Sequence, residues 1–248
     1  MTTSAAVLRR SGAIAEIVLN RPAKLNAMNM AWMRDLDAAV GALPGDRELR
    51  VVVVRGAGRA FCSGLDLDMM AEQGMPPGFF ATQEKIFTAL ERLPAIVVAQ
   101  IHGYCLGGGL QLALACDVRI ASADAMLGLP AALEGLVPGV AAWRLPRFVG
   151  LGRALRLALL GKPVDAATAL DMGLVDHLLP VDGFGSAASE IVSQYAEVPH
   201  RAAVGIKEMA RSAFDVPFDQ AFTRAQDIVA ECLRDPDTAA ARQAWANR

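Results

Sequence analysis

The stretch "GYCLGGGLQLALACD", residues 103–117, decides how the rest of the chain is read. Three consecutive glycines, Gly107, Gly108 and Gly109, open onto an apolar run that reads as a helix over 108–115. The first N–H groups of a helix have no intrahelical partner. They stand at the positive end of its dipole, a seat for a developing negative charge. Glycines that merely allow tight packing would look the same at a single turn. Just inside this helix stands Gln111, whose amide orients water but takes up no proton at neutral pH.

A second glycine turn, "GRAFCSGLDL" (58–67), strengthens the functional reading. Each turn follows an apolar, β-branched run, "RVVVVRG" (50–56) and "AIVVAQIHG" (95–103). Such runs are strands buried on both faces. Working outward, "AIAEIVLN" (13–20) alternates as a strand, and "RPAKLNAMN" (21–29) turns into a helix near 30–41. A further helix is expected over 79–92, stopping at Pro94, and a strand over 116–122. From 130 onward helix dominates, interrupted by a short strand at 174–180, and 184–248 reads as helices throughout. Strands interleaved with helices, followed by a helical tail, give an α/β core with a helical C-terminal region.

At 248 residues the chain suits one large domain, with or without a helical appendage. Charged residues are 20% against 54% apolar, a balance that fits burial in subunit contacts as well as in a core, although alanine inflates the apolar count. Net charge is −2 with no basic block, which argues against a nucleic-acid partner. Apolar runs such as "AIVVA" (95–99) are far too short for a membrane span. The N-terminus shows no apolar signal segment. Cys62, Cys105, Cys116 and Cys232 follow no metal spacing and read as reduced thiols of a cytoplasmic protein. His102, His177 and His200 are isolated, so no metal site is expected.

Two decoys fall away. "VVVVRGAGRAF" places G-x-G after a strand, but Phe61 occupies the position where a dinucleotide fingerprint needs a small residue. "FCSGL" around Ser63 is not a nucleophile elbow. Met69, Met70 and Met75 read as gap-filling apolar residues.

Four segments, in order, resemble the crotonase superfamily, the enoyl-CoA hydratase/isomerase family. They are "RPAKLNAMN", "GRAFCSGLDL", "HGYCLGGGLQLALACDVRIAS" and "LGLPAALEGLVPGVAAWRLPRFVG", and the likeness spans almost the whole chain. The resemblance implies a spiral of ββα units over 1–195 carrying an acyl-CoA site. It also implies a helical region over 196–248 that builds a homotrimer or a hexamer of stacked trimers. No covalently bound cofactor is implied; a coenzyme A thioester is the expected ligand.

By position, the resemblance assigns the thioester oxygen to the backbone N–H groups of Leu65 and Gly108. Backbone near Lys24, Leu25, Ala27 and Ser63 is expected along the CoA moiety, with Asp66 more a loop-structuring side chain than a catalyst. The family's hydratases use two glutamates; the corresponding positions here are Gln111 and Ala131. Glu134, three residues beyond Ala131, shares its face if the segment is helical and is the candidate base; a surface glutamate is the plain alternative. Gly139 stands where some members have an aspartate. Arg144 reads as structural, and Trp143 as narrowing the acyl pocket or packing at a subunit contact. Arg242, Arg248 and Trp245 are stand-ins for the family's basic C-terminal segment.

Three functions follow. The first is an acyl-CoA isomerase or decarboxylase working through an oxyanion hole. The second is a non-catalytic acyl-CoA binder. The third is an enoyl-CoA hydratase with an atypical site.

Overall fold

The computed structural model describes residues 4–46 and 48–246. Strand β1 (Ala6–Ser11) pairs antiparallel with β2 (Ile14–Leu19). Then follow α1 (Met30–Gly41), β3 (Val51–Gly56), α2 (Leu67–Gln73), α3 (Phe79–Glu91), β4 (Ile96–Ile101), β5 (Tyr104–Leu106) and α4 (Gly108–Ala115). The order continues with β6 (Val118–Ser122), β7 (Met126–Gly128), a 3-10 turn (Pro130–Glu134), α5 (Ala141–Val149), α6 (Leu151–Leu160), β8 (Val164–Asp165), α7 (Ala166–Asp171) and β9 (His177–Leu179). It ends with α8 (Phe184–Ala196), α9 (His200–Ser212), α10 (Phe218–Arg234) and α11 (Pro236–Ala246).

Two sheets organise these elements. The larger runs β1-β2-β3-β4-β6-β9 and the smaller β5-β7-β8. From β2 onward the larger sheet is parallel. The unit β4–β5–α4 is followed by β6–β7 and a helical turn, so each pass of the chain adds one strand to each sheet. An isolated parallel bridge between Cys62 and Cys105 carries the same pattern back to the preceding pass. This is a mixed α/β fold with a mainly parallel sheet, as the sequence predicts.

The β-branched runs explain the layering. In β3, Val52 and Val54 face the main core, whereas Val51 and Val53 face a smaller cluster with Ala188 and Val192 of α8. A strand covered on both sides needs apolar residues at every position. Helix α4 is buried along its whole length, which is why it is apolar on every face apart from Gln111. The division expected between 195 and 196 falls at the end of α8, which packs on the sheet; α9, α10 and α11 contact one another.

Sequence periodicity misses β1, β5, β7 and β8. The last three have two or three residues each, too short for alternation to register. In the β1 sequence "AVLRRS" the second half, Arg9, Arg10 and Ser11, is exposed on both faces, so no alternation shows.

Candidate active site

The two glycine turns are laced together by backbone hydrogen bonds. Phe61 N–H donates to the His102 carbonyl (2.9 Å), Cys62 N–H to Tyr104 (2.9 Å) and Leu106 N–H to Cys62 (3.0 Å). The strand leading to one turn is thereby fixed against the strand leading to the other. The approach is too close for a side chain at Gly109, where a Cβ would lie 2.2 Å from the Cys62 carbonyl oxygen. The segment 25–28 closes the arrangement. Ser63 N–H donates to Leu25 (3.0 Å), Met28 N–H to Gly64 (2.7 Å) and Asp66 N–H to Met28 (3.0 Å).

Around these turns lies a pocket with about 110 Å³ of space. It brings together Leu65, Gly108, Gln111, Ala131 and Glu134, with Ser63, from segments far apart in the chain. Among the described residues, neither the Leu65 N–H nor the Gly108 N–H donates to an acceptor within the chain. Both edge the pocket, and Gly108 begins α4, so the helix dipole reinforces its N–H. The Gln111 side chain is 8% exposed and also lacks an intrachain partner among those residues; its Oε1 lies 3.0 Å from where a Cβ on Gly139 would stand. Residues 130–134 form a 3-10 turn, in which positions three apart eclipse. That carries Glu134 to the pocket alongside Ala131, and Glu134 is the sole carboxylate among the pocket's described residues. The nearby thiol is no nucleophile: burial pushes Cys62 up to about 12.

The expected CoA-lining residues divide. Lys24 and Asp66 border a separate hollow that also includes Arg21, Asn29 and Asp68. Lys24 is exposed there and paired with Asp68. Leu25 is half-buried, and Ala27 is buried with its carbonyl accepting from Arg21 Nη1. Asp66 acts in the loop: it caps α2 by accepting from the Met69 N–H and pairs with Arg21 Nη2 at 2.8 Å. Burial pulls its carboxyl upward, but the Arg21 and Met69 hydrogen bonds outweigh this and hold it below the usual range.

Trp143 does not line the acyl pocket, contrary to one expectation. It borders a larger cavity of about 420 Å³ between α5 and α9, and Arg147, one turn on, stacks 3.3 Å from its ring centroid. That cavity holds neither glycine turn. Its charged groups are paired: Arg144, 3% exposed, binds Glu84 and Glu91, while Arg211 binds Glu91 and Asp117. Arg144 is thus structural. Arg242 and Trp245 lie on α11, outside the acyl pocket's lining, and Arg248 lies outside the described residues.

Two buried polar residues at the candidate site escape sequence reasoning. Asn26, fully buried at φ 58°, accepts from the Arg21 N–H (2.8 Å) and donates to the Ala57 and Ala60 carbonyls (2.9 and 2.8 Å). Asparagine tolerates this left-handed conformation and bonds locally. Gln83 enters the pocket from α3. Its signal was present: a polar residue on the helical stripe Phe79, Ile86, Phe87, Leu90.

Fold and site together define two backbone N–H donors at the edge of a small pocket on a mixed α/β scaffold with a mainly parallel sheet. The chain belongs to the enoyl-CoA hydratase/isomerase family, whose model matches residues 9–248. It is 32% identical over 235 residues to the short-chain-enoyl-CoA hydratase of Clostridium acetobutylicum, covering 93% of this chain and 90% of that one. The crystal structure of an enoyl-CoA hydratase from Thermoplasma volcanium superimposes with a TM-score of 0.90 at 31% identity, covering 98% of both chains. A Thermobifida fusca protein solved in complex with acetoacetyl-CoA gives a TM-score of 0.85 at 31% identity, covering 93% of this chain and 95% of that one.

Proposed function

We propose that this protein binds a short acyl-CoA thioester, stabilises its enolate, and moves a double bond rather than adding water. The thioester oxygen is held by the N–H groups of Leu65 and Gly108. These donors are fixed by the fold, so they need no reorganisation as charge develops on the oxygen. The acetoacetyl-CoA complex of the Thermobifida fusca relative supports a CoA thioester as the ligand.

The observation that carries this reading is the single carboxylate, Glu134, in a pocket whose other polar side chains are neutral. Water addition in the two-glutamate manner needs two groups that exchange protons, and here Gln111 and Ala131 supply none. One base suffices for isomerisation. Glu134 takes a proton from the α-carbon of a 3-enoyl ester, the electron pair moves onto the thioester oxygen, and the same carboxyl returns the proton at the γ-carbon. The product is the 2-enoyl ester.

Decarboxylation is a second reading, favoured by the neutral amide at 111. A carboxylated acyl group meets no charge there. The carboxylate's bond to the α-carbon breaks, CO₂ departs, the electron pair forms the enolate on the thioester oxygen without a protein base, and a proton from water completes the product.

The test is to incubate the purified protein with 2-enoyl- and 3-enoyl-CoA esters in D₂O and read products by mass spectrometry. Deuterium at the α- or γ-carbon without hydration is expected. Stoichiometric water addition would overturn the reading. Loss of CO₂ from malonyl-type esters would establish the second. Saturable binding with no conversion of any ester would make the protein a thioester binder.

We further propose that the chain self-associates, as the family resemblance implies. Leu151, Leu155 and Leu159 form an exposed stripe on α6, spaced one helical turn apart.

A further inference from the structure

Gln83 is the pocket residue that the proposed chemistry leaves without a task. It is 4% exposed, on the buried stripe of α3. Among the described residues its carboxamide makes one hydrogen bond, from Nε2 to Met28 Sδ at 3.6 Å. A thioether sulfur is a weak acceptor. The side-chain oxygen receives no donor from those residues, yet the residue lines the cavity rather than being sealed behind it. Buried amides are almost always matched by partners. A carboxamide left largely unmatched at a cavity wall is available to what fills the cavity.

Its location defines which part of a ligand it meets. A Cβ on Gly108 would lie 3.0 Å from Gln83 Nε2 and 2.6 Å from Met28 Sδ. Gln83 therefore stands beside the backbone that holds the thioester oxygen, within reach of the first acyl carbons. Gln111 lines the same small pocket with a second amide lacking an intrachain partner among the described residues. A carboxamide donates and accepts without charge, which suits a hydroxyl or carbonyl oxygen.

We infer that Gln83 is a specificity-determining residue which, with Gln111, forms a polar subsite for an oxygen substituent on the acyl carbons next to the thioester. Short acyl-CoA esters bearing such an oxygen are favoured over plain alkyl esters, because a site built around a hydrogen bond discriminates against the analogue that cannot make it. This rests on the reading of the pocket as an acyl-CoA site.

The experiment is calorimetric titration of the full-length protein with butyryl-CoA and with each enantiomer of 3-hydroxybutyryl-CoA. These ligands differ by one oxygen. Wild type is expected to bind at least one hydroxy ester roughly tenfold more tightly than butyryl-CoA. Gln83→Met keeps length and removes the amide. It should erase that preference, so that hydroxy and butyryl esters bind within about twofold of each other, and an unchanged urea-denaturation midpoint reports that the variant is folded. Gln83→Leu is the second variant should the first not fold. Equal affinities in wild type, or a preference that survives in the variant, would overturn the inference and leave the acyl-CoA reading standing. If wild type binds none of the three esters, the acyl-CoA reading itself fails and the inference falls with it.

Discussion

Gly64 and Gly108 meet so closely that a Cβ on Gly64 would lie 3.4 Å from the Gly108 nitrogen and 2.9 Å from the Leu106 carbonyl oxygen. Leu65, one residue on, and Gly108 edge the same pocket, so this contact ties the two N–H groups to each other. Gly64 also has φ of 97°, outside the range an L side chain adopts without strain. Gly64→Ala should therefore spread the two donors. Turnover of the ester found active is expected to fall by about 10²–10³, the usual effect of losing one oxyanion donor. Unchanged kcat/KM in a folded variant would remove this pair from the proposed cradle.

Glu134→Gln should abolish deuterium incorporation at the α- and γ-carbons, by about 10²–10⁴, while acyl-CoA affinity stays within a fewfold. Mass-spectrometric exchange rates measured beside calorimetric binding separate the two effects. Exchange that survives the substitution would mean another group carries the proton.

Asp66→Asn tests the loop. The Arg21 and Met69 hydrogen bonds hold the Asp66 carboxyl below its usual value of 3.8 in the folded chain. A lowered value means that the unfolded chain binds the proton first, so the stabilisation is present above about 3.8 and fades as pH falls through the folded value. Wild type should exceed the variant by about 1–2 kcal/mol at neutral pH, and the gap should close on acidification below 3.8. Urea denaturation at a series of pH values reads it; parallel curves at all pH would refute the assignment.

Arg144→Met leaves Glu84 and Glu91 without the guanidinium that both bind. The cost is expected at about 2–4 kcal/mol, below that of a fully buried pair because both carboxylates keep some solvent. A shift in the denaturation midpoint at unchanged slope measures it. Adding Glu84→Gln should recover part of the loss.

The α6 stripe predicts a multiple of the chain mass by light scattering. Leu155→Glu with Leu159→Glu should shift the protein toward the monomer by placing charge on the paired surface. An unaltered mass would locate the interface elsewhere.

The apolar runs at 51–54 and 96–99, and the helix 108–115, apolar but for Gln111, were legible because burial on both faces favours apolar residues at nearly every position. The glycine turns were legible because close backbone approach excludes side chains, as the 2.2 Å clearance at Gly109 requires. Gln111, Ala131 and Glu134 could be named from their places in the chain. Their meeting in one pocket was expected from the family resemblance and not from the local pattern, since it depends on how successive strands pair. Gln83 was hidden for the same reason: on a helix stripe a buried polar residue looks like an interruption until its neighbours are known. Trp143 went astray because periodicity gives a helix its faces but not what each face meets; on α5 that face looks toward α9.

The sequence by itself determined the buried strands, the central helix and the residue types available for proton transfer, because these follow from local pattern and from side-chain chemistry. Tertiary structure decided that Leu65 and Gly108 line one cavity with N–H groups unpaired among the described residues, that Glu134 is the carboxylate among those lining it, and that Gln83 reaches it from α3. Those facts depend on contacts between segments tens of residues apart, which no local window of sequence encodes.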